Sequence, residues 1–227
     1  MRGAYSETIV SNCTYINEAD WPRKPYADFF ERAGIPFFSV TFPLDVSDAY
    51  AFAKRERLSF YHLMIFLSTR AMNALDAFRY KLRPDGVVLW EYLSPSFTFM
   101  YNEAEDLFGI VNMDTIPQEG PVEFCVRAAA AQEACQNAGA PLPTETEDAR
   151  DDLIYYSSLP WLSYTEIAQE LPADKDDSIP RFVWGKFEER GGRKVLPYTA
   201  QLNHRLLDGI HIYRLKQALE TELRTLQ

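Results

Sequence analysis

The sequence predicts an α/β protein of the α+β two-layer sandwich kind, a mainly antiparallel mixed sheet with helices packed on it. Three observations predict it. Turn signals at Pro84-Asp85-Gly86 and Gly191-Gly192 separate alternating runs and so make hairpins. Strand and helix patterns follow one another irregularly, without the strict alternation of a parallel sheet. Residues 59–75 form a long apolar stretch rich in Leu, Met and Ala, which reads as a buried helix.

The elements follow in order. Residues 26–32 read as a short helix stopped near Gly34. Residues 36–44 are aromatic and β-branched, hence a strand. Ser47 is expected to cap a helix over 48–57. Residues 78–82 alternate like a strand, 87–90 pair back on them, and 95–101 form another strand. Residues 122–138 are Ala-rich and helical, whereas 139–152 are polar with two prolines and read as a surface loop. Residues 153–156 and 161–164 are strand-like on either side of Ser157-Ser158-Leu159-Pro160. Residues 181–187 and 195–202 make a hairpin around the glycine pair. A last helix starts near Gly209, with Ile212, Leu215, Leu219 and Leu226 at helical spacing.

Composition narrows the function. The 227 residues are 47% hydrophobic and 25% charged, an ordinary globular mix that needs no staples. Residues 1–227 are expected to form a single domain. A net charge of -10 argues against a nucleic-acid partner, because phosphate contacts need clustered Lys and Arg. A local basic patch is still enough for a phosphate-bearing cofactor. Cys13, Cys125 and Cys135 are odd in number and form no Cys-x-x-Cys pair, so reduced thiols are expected and a zinc site is not. The opening residues 1–20 are mostly polar, and no run approaches the ~20 apolar residues of a membrane span. The expected location is the cytoplasm, with no membrane partner and no metal.

The strongest chemical signal is His204-Arg205-Leu206-Leu207-Asp208-Gly209, at the junction of the last strand and the last helix. An imidazole takes up a proton near neutral pH and so serves as a general base. Asp208 is placed to pair with a cation and fix the turn. The same residues also fit a plainer assignment, a surface histidine at a strand end with Asp208 capping the helix.

Asn203-His204-Arg205-Leu206-Leu207-Asp208-Gly209-Ile210-His211 resembles the HHxxxDGxH signature of the chloramphenicol acetyltransferases. Further similarities occur in family order: Trp21-x-Arg23, Phe78-Arg79, Trp90, Pro95-Ser96-Phe97-Thr98, Ser157-Ser158-Leu159-Pro160-Trp161, and Phe182-Val183-Trp184-Gly185-Lys186. They reach from Trp21 to about Leu219. The resemblance implies an acetyl-CoA-dependent O-acetyltransferase of the antibiotic-resistance type. It implies a homotrimer with active sites between subunits. His204 corresponds to the general base and Ser157 to the serine that stabilises the oxyanion. Arg23 and Asp208 correspond to a buried salt bridge holding the catalytic turn. Asp208 is not expected to relay charge with His204. The resemblance further implies coenzyme A contacts at Tyr61, Trp161, Lys186 and Phe187, and acceptor contacts at Phe29, Phe30, Thr98, Gln169 and Val183. His62 is expected in the core and His211 against the last helix.

The sequence also departs from the family pattern. Asn203 replaces the first histidine of the usual pair, Val183 a threonine, and Gln169 an aliphatic residue of the acceptor pocket. Residues 168–178 (AQELPADKDDS) are acidic and polar where the family is apolar and aromatic. Chloramphenicol is the default acceptor, and a different hydroxyl compound is the alternative. Two further readings are a 2-oxo-acid dehydrogenase acyltransferase core, which normally follows a lipoyl domain, and a trimeric relative that binds a ligand without chemistry.

Overall fold

The computed structural model describes residues 12–171 and 174–226. Residues 1–11 of the polar opening stretch, and Pro172 and Ala173 of the acidic segment, lie outside them.

The described residues open with strand β1 (Cys13–Tyr15) and helix α1 (Lys24–Glu31), in which Pro25 occupies the first turn where its missing N–H costs nothing. Strand β2 (Phe37–Asp45) leads into α2 (Ser47–Glu56). Ser47 is not the cap expected for it. Val46 holds the cap position, and the Ser47 hydroxyl instead donates to Asp45 Oδ1 (2.7 Å) and accepts from Lys194 N (2.8 Å). Helix α3 (Phe60–Asn73) is the buried helix, capped by the Ser59 hydroxyl. Its Leu63, Met64, Ile65, Leu67 and Met72 are all within 1% of full burial, each worth about 1.5–3 kcal/mol of transfer free energy.

A single helical turn, α4 (Asp76–Arg79), takes Phe78 and Arg79 out of the expected strand, which shrinks to β3 (Tyr80–Arg83). It pairs with β4 (Gly86–Trp90), and β1 completes a three-stranded sheet. Next come β5 (Ser94–Asn102), β6 (Leu107–Asn112), α5 (Pro121–Ala138) and a capped turn, α6 (Glu145–Asp148), inside the expected loop. Strand β7 (Leu153–Leu159) runs straight through Ser157. Residues 161–164, expected as a strand, form no ladder. Then β8 (Arg181–Gly185), β9 (Glu188–Arg190), β10 (Arg193–Asn203) and α7 (Gly209–Arg224) close the fold.

The large sheet runs β2-β10-β8-β7-β5-β6, with β9 added to β10. Its contacts are antiparallel except β5 with β7 and β7 with β8, so it is mixed as predicted. Strand residues alternate faces. Phe42, Tyr198, Phe182, Trp184, Tyr156, Phe97 and Val111 point to the helix layer and are buried there. Their polar tips are satisfied: Tyr198 Oη donates to Ser68 Oγ (2.9 Å), and Tyr156 Oη lies 3.0 Å from Thr69 Oγ1.

Among the described residues the opposite face carries no helix layer, and it has a different chemistry. Pairing registers lay out one row, Ser39, Gln201, Arg181, Tyr155, Ser96 and Asn112, and beside it a second, Thr41, Thr199, Val183 and Ser157. Residues 162–169 lie over these rows. Tyr164 Oη donates to the Val183 carbonyl (2.9 Å) and Gln169 N to Gln201 Oε1 (2.9 Å). Gly185 makes this approach feasible, because a Cβ there would stand 2.7 Å from the Leu162 carbonyl oxygen and 2.9 Å from the Tyr164 ring.

Candidate active site

His204 is held by its own turn. Its amide donates to the Pro36 carbonyl (2.6 Å), and its ring stacks on Phe30 (centroids 3.9 Å apart, 12° between planes) with Phe38 tilted at 4.5 Å. Nδ1 lies 3.0 Å from the Leu207 carbonyl oxygen. A carbonyl only accepts, so Nδ1 carries the proton, and the neutral ring presents its lone pair at Nε2. Asp208 Oδ1 is 3.4 Å from the same Nδ1, closer than the expectation of a side chain leading away. Both Asp208 oxygens, however, are engaged by Arg23.

Arg23 reaches this turn from the start of α1 and grips it at three places. Nη1 and Nη2 meet Asp208 at 2.5 and 2.7 Å, Nη2 also reaches the His204 carbonyl (2.7 Å), and Nε reaches the Arg205 carbonyl (3.1 Å). Such a bidentate fork fixes orientation as well as distance. The pair is part-buried, with side chains 13% and 33% exposed. The Arg23 hydrogen bonds hold the Asp208 carboxyl below its usual range. His211 closes the turn from below, accepting the Asp208 amide at Nδ1 (2.9 Å), and burial keeps its pKa below the ordinary imidazole value.

This arrangement has a pH signature. A carboxyl with a depressed folded pKa stabilises the fold above its unfolded pKa, and that contribution is lost as pH falls through the folded value. Asp208→Asn is expected to lower stability at pH 7 by about 1–2 kcal/mol, less than a fully buried pair because the carboxylate meets water. The gap to the parent should shrink as pH drops below about 4. Urea midpoints for both proteins across pH 3–7 measure it, and a pH-independent gap contradicts the assignment.

Ser157 stands elsewhere. Its Oγ is 2.9 Å from Thr98 Oγ1, where the β5–β7 ladder has ended at Phe97 and Tyr156 and the two strands part. A cavity of about 930 Å³ opens there, lined by residues of both sheet faces: Thr98, Ser157, Val183 and Tyr155 from one, Tyr61 and Phe97 from the other. Trp161 and Gln169 line it too. Tyr61 Oη donates to the Tyr156 carbonyl (3.3 Å), and burial pushes its phenol well above the ordinary value, so it remains a neutral donor.

The residues singled out in the sequence therefore fall into two groups. Phe29, Phe30, Arg23 and Asp208 surround His204, and Phe29 is 64% exposed. Thr98, Gln169, Val183, Tyr61 and Trp161 surround Ser157. Lys186 is exposed and its amide donates to the Leu162 carbonyl (2.7 Å). Phe187 packs beside Tyr50 (5.1 Å) under the Lys194 ammonium (4.6 Å) and is not among the cavity residues. Within one chain the groups are far apart. Ser157 is level with Thr199 two strands over, and His204 lies five residues beyond. At about 3.3 Å per residue and 4.8 Å per strand the separation is roughly 19 Å.

Several participants escaped the sequence reading. Asn203 Nδ2 donates to the Lys175 and Asp177 carbonyls (3.2 and 2.8 Å), and Arg205 pairs with Asp176 (2.5 Å), so the acidic segment is fastened to the His204 turn. Lys81 is fully buried and donates to the Ser178 carbonyl (3.1 Å), with burial pulling its pKa down to about 7. Alternation placed Lys81 in a strand, but nothing in the sequence marked it as buried.

The structure thus holds a histidine on a rigid turn and, apart from it, a serine hydroxyl beside a cavity. The chain belongs to the chloramphenicol acetyltransferase family: the model of that family matches residues 11–220. It is 27% identical over 209 residues to chloramphenicol acetyltransferase 2 of Escherichia coli, covering 92% of this chain and 96% of that one. It is 28% identical over 174 residues to a chloramphenicol acetyltransferase of Bacillus pumilus, covering 77% of each. A solved chloramphenicol acetyltransferase superposes with a TM-score of 0.85 at 26% identity, covering 93% of this chain and all of that one. A probable dihydrolipoamide acetyltransferase from Listeria monocytogenes shares the fold alone, with a TM-score of 0.64 at 12% identity over 93% of this chain and 94% of its own. The protein is thus an acetyl-CoA-dependent acyltransferase. Among the described residues no helix is long and apolar enough to cross a membrane.

Proposed function

We propose that the enzyme transfers the acetyl group of acetyl-CoA to a hydroxyl of chloramphenicol or a related alcohol, directly and within a ternary complex. His204 Nε2 takes the hydroxyl proton as the oxygen attacks the thioester carbonyl. The Ser157 hydroxyl donates to the oxyanion that forms, worth about 10²–10³ in rate for one such donor. The C–S bond then breaks, and the coenzyme A thiolate takes the proton back from the imidazolium. No acetyl-enzyme is needed, because holding both substrates side by side supplies the rate advantage of proximity.

The single observation carrying this reading is the Nδ1 contact with the Leu207 carbonyl, which leaves Nε2 as the basic nitrogen. The ~19 Å separation of His204 from Ser157 supports a site shared between two copies. A homotrimer with interfacial sites satisfies it, and the exposed Phe29, Tyr26 and Ile35 beside His204 suit such an interface. Tyr61 and Trp161 are the cavity aromatics assigned to coenzyme A, while Phe187 and Lys186 would meet it only outside the cavity. A cytoplasmic location suits the acetyl-CoA supply.

Release of coenzyme A thiol from acetyl-CoA, followed with and without chloramphenicol and a panel of simpler alcohols, tests the proposal. Acceptor-dependent release is expected. Absence of release with every acceptor overturns it.

A further inference from the structure

Phe30 stacks on the His204 ring from helix α1, so the ring is held only as firmly as that helix. Helix α1 is short and mostly exposed, and Ala27 is its one buried residue. Arg23 anchors its start through Asp208. A different residue holds the end that carries Phe30. Arg205 is only 8% exposed, its Nε donates to the Ala27 carbonyl (3.3 Å), and its Nη2 lies 3.9 Å from Glu31 Oε1. Its Nη1 pairs with Asp176 Oδ1 (2.5 Å) and reaches the Lys175 carbonyl (3.4 Å).

The acidic segment is the other half of this brace. Asn203 is buried, accepts the Arg205 amide at Oδ1 (2.9 Å), and donates from Nδ2 to the Lys175 and Asp177 carbonyls (3.2 and 2.8 Å). Lys175 pairs back with Glu31, and Asp177 with Arg181 (2.7 Å). Lys81 donates to the Ser178 carbonyl (3.1 Å), and the Leu82 amide to Ser178 Oγ (3.0 Å). Residues 174–178 are therefore tied to α1, to the His204 turn and to strands β3 and β8. The cavity is lined by residues 167–170 of the preceding stretch and by none of 174–178. The charges that depart from the family pattern in this segment are answered within the brace.

We propose that Arg205, with Asp176 as its counter-ion, is a positioning residue for the general base, and that residues 174–178 are the strut that supports it, not a wall of the acceptor pocket. Arg205 acts through Phe30: it sets where the end of α1 stands, and so where the ring stacked on His204 stands. A misplacement of about 1 Å at the reacting groups costs about 10² in rate. The inference rests on His204 being the base.

The test measures kcat and KM for folded variants, each checked by an unfolding curve, with chloramphenicol and with every other alcohol the parent uses. Arg205→Met keeps the aliphatic stem and removes the hydrogen bonds, and kcat is expected to fall by about 10- to 100-fold. Asp176→Asn keeps the shape and removes only the charge. It is expected to lower kcat by about three- to tenfold, because a charge-assisted hydrogen bond is roughly twice as strong as a neutral one. This milder variant carries the test if Arg205→Met does not fold. The KM for acetyl-CoA should stay near the parent value, and the loss should be the same factor for every acceptor, since one base serves them all. The Phe30→Ala, Arg205→Met double variant should lose far less than the product of the two single losses, because both act on one ring. Parent-like kcat in the folded variants, a loss confined to KM, a loss that differs between acceptors, or a double loss equal to the product overturns the inference while the acyltransfer reading stands. A parent that releases no thiol with any acceptor, or a His204→Ala variant as active as the parent, overturns that reading instead.

Discussion

His204→Ala is expected to lower kcat for acceptor-dependent thiol release by about 10²–10⁴, the usual contribution of a positioned general base. The three histidines of the chain are not equivalent. His62 is buried, and burial holds its pKa below the ordinary value. His211 spends Nδ1 on the Asp208 amide. His204 alone combines a partly exposed ring, a proton fixed on Nδ1 by a carbonyl, and clamping between Phe30 and Phe38. Removal of the ring should leave the KM for acetyl-CoA near the parent value, since Tyr61 and Trp161 lie in the other group of residues. Steady-state kinetics with a matched unfolding curve separates lost chemistry from lost fold. Turnover near the parent rate in a folded His204→Ala protein sinks the mechanism.

How far such a site is visible in the sequence depends on the range of the interactions that build it. The hairpin of β3 and β4 was legible because Pro84-Asp85-Gly86 fixes a local turn between alternating runs. The α3 helix was legible because apolar residues dominate its fourteen positions, with an unbroken run over 63–67. The α6 turn and the Phe78–Arg79 turn were missed because one turn of helix leaves no periodicity to read. Strand β6 was missed for a different reason: Gly109 interrupts the pattern, and it is glycine because a Cβ would stand 2.7 Å from the Phe99 ring. Residues 161–164 looked like a strand because aromatic, β-compatible residues suit any chain laid across a sheet, as this segment is through Leu162 and Tyr164. Arg23 meets Asp208 across 185 positions, a contact no local pattern encodes, and only the resemblance brought the two together. The Ser157–His204 separation was invisible for the same reason, since it needed the order β10-β8-β7.

That separation carries the second large expectation. His204→Ala and Ser157→Ala subunits, each poorly active alone, should regain activity when unfolded and refolded together. A site that takes its histidine from one subunit and its serine from the next becomes whole wherever a Ser157→Ala chain offers His204 to a His204→Ala chain offering Ser157. With random mixing in a closed ring, about a quarter of the sites receive both intact side chains. Activity should therefore rise from the residual level to about a quarter of the parent's, a gain of tens-fold or more given the ~10²–10³ loss expected for the serine variant. A site contained in one chain predicts no gain, because every chain then lacks one of its two groups whatever its neighbours carry. The variants mixed without unfolding serve as the control, since subunits that do not exchange stay inactive. Sedimentation of the refolded mixture, giving the same mass as the parent, ties the recovered activity to the assembled ring. Recovery under those conditions requires the ~19 Å gap within one chain to be closed by the approach of another.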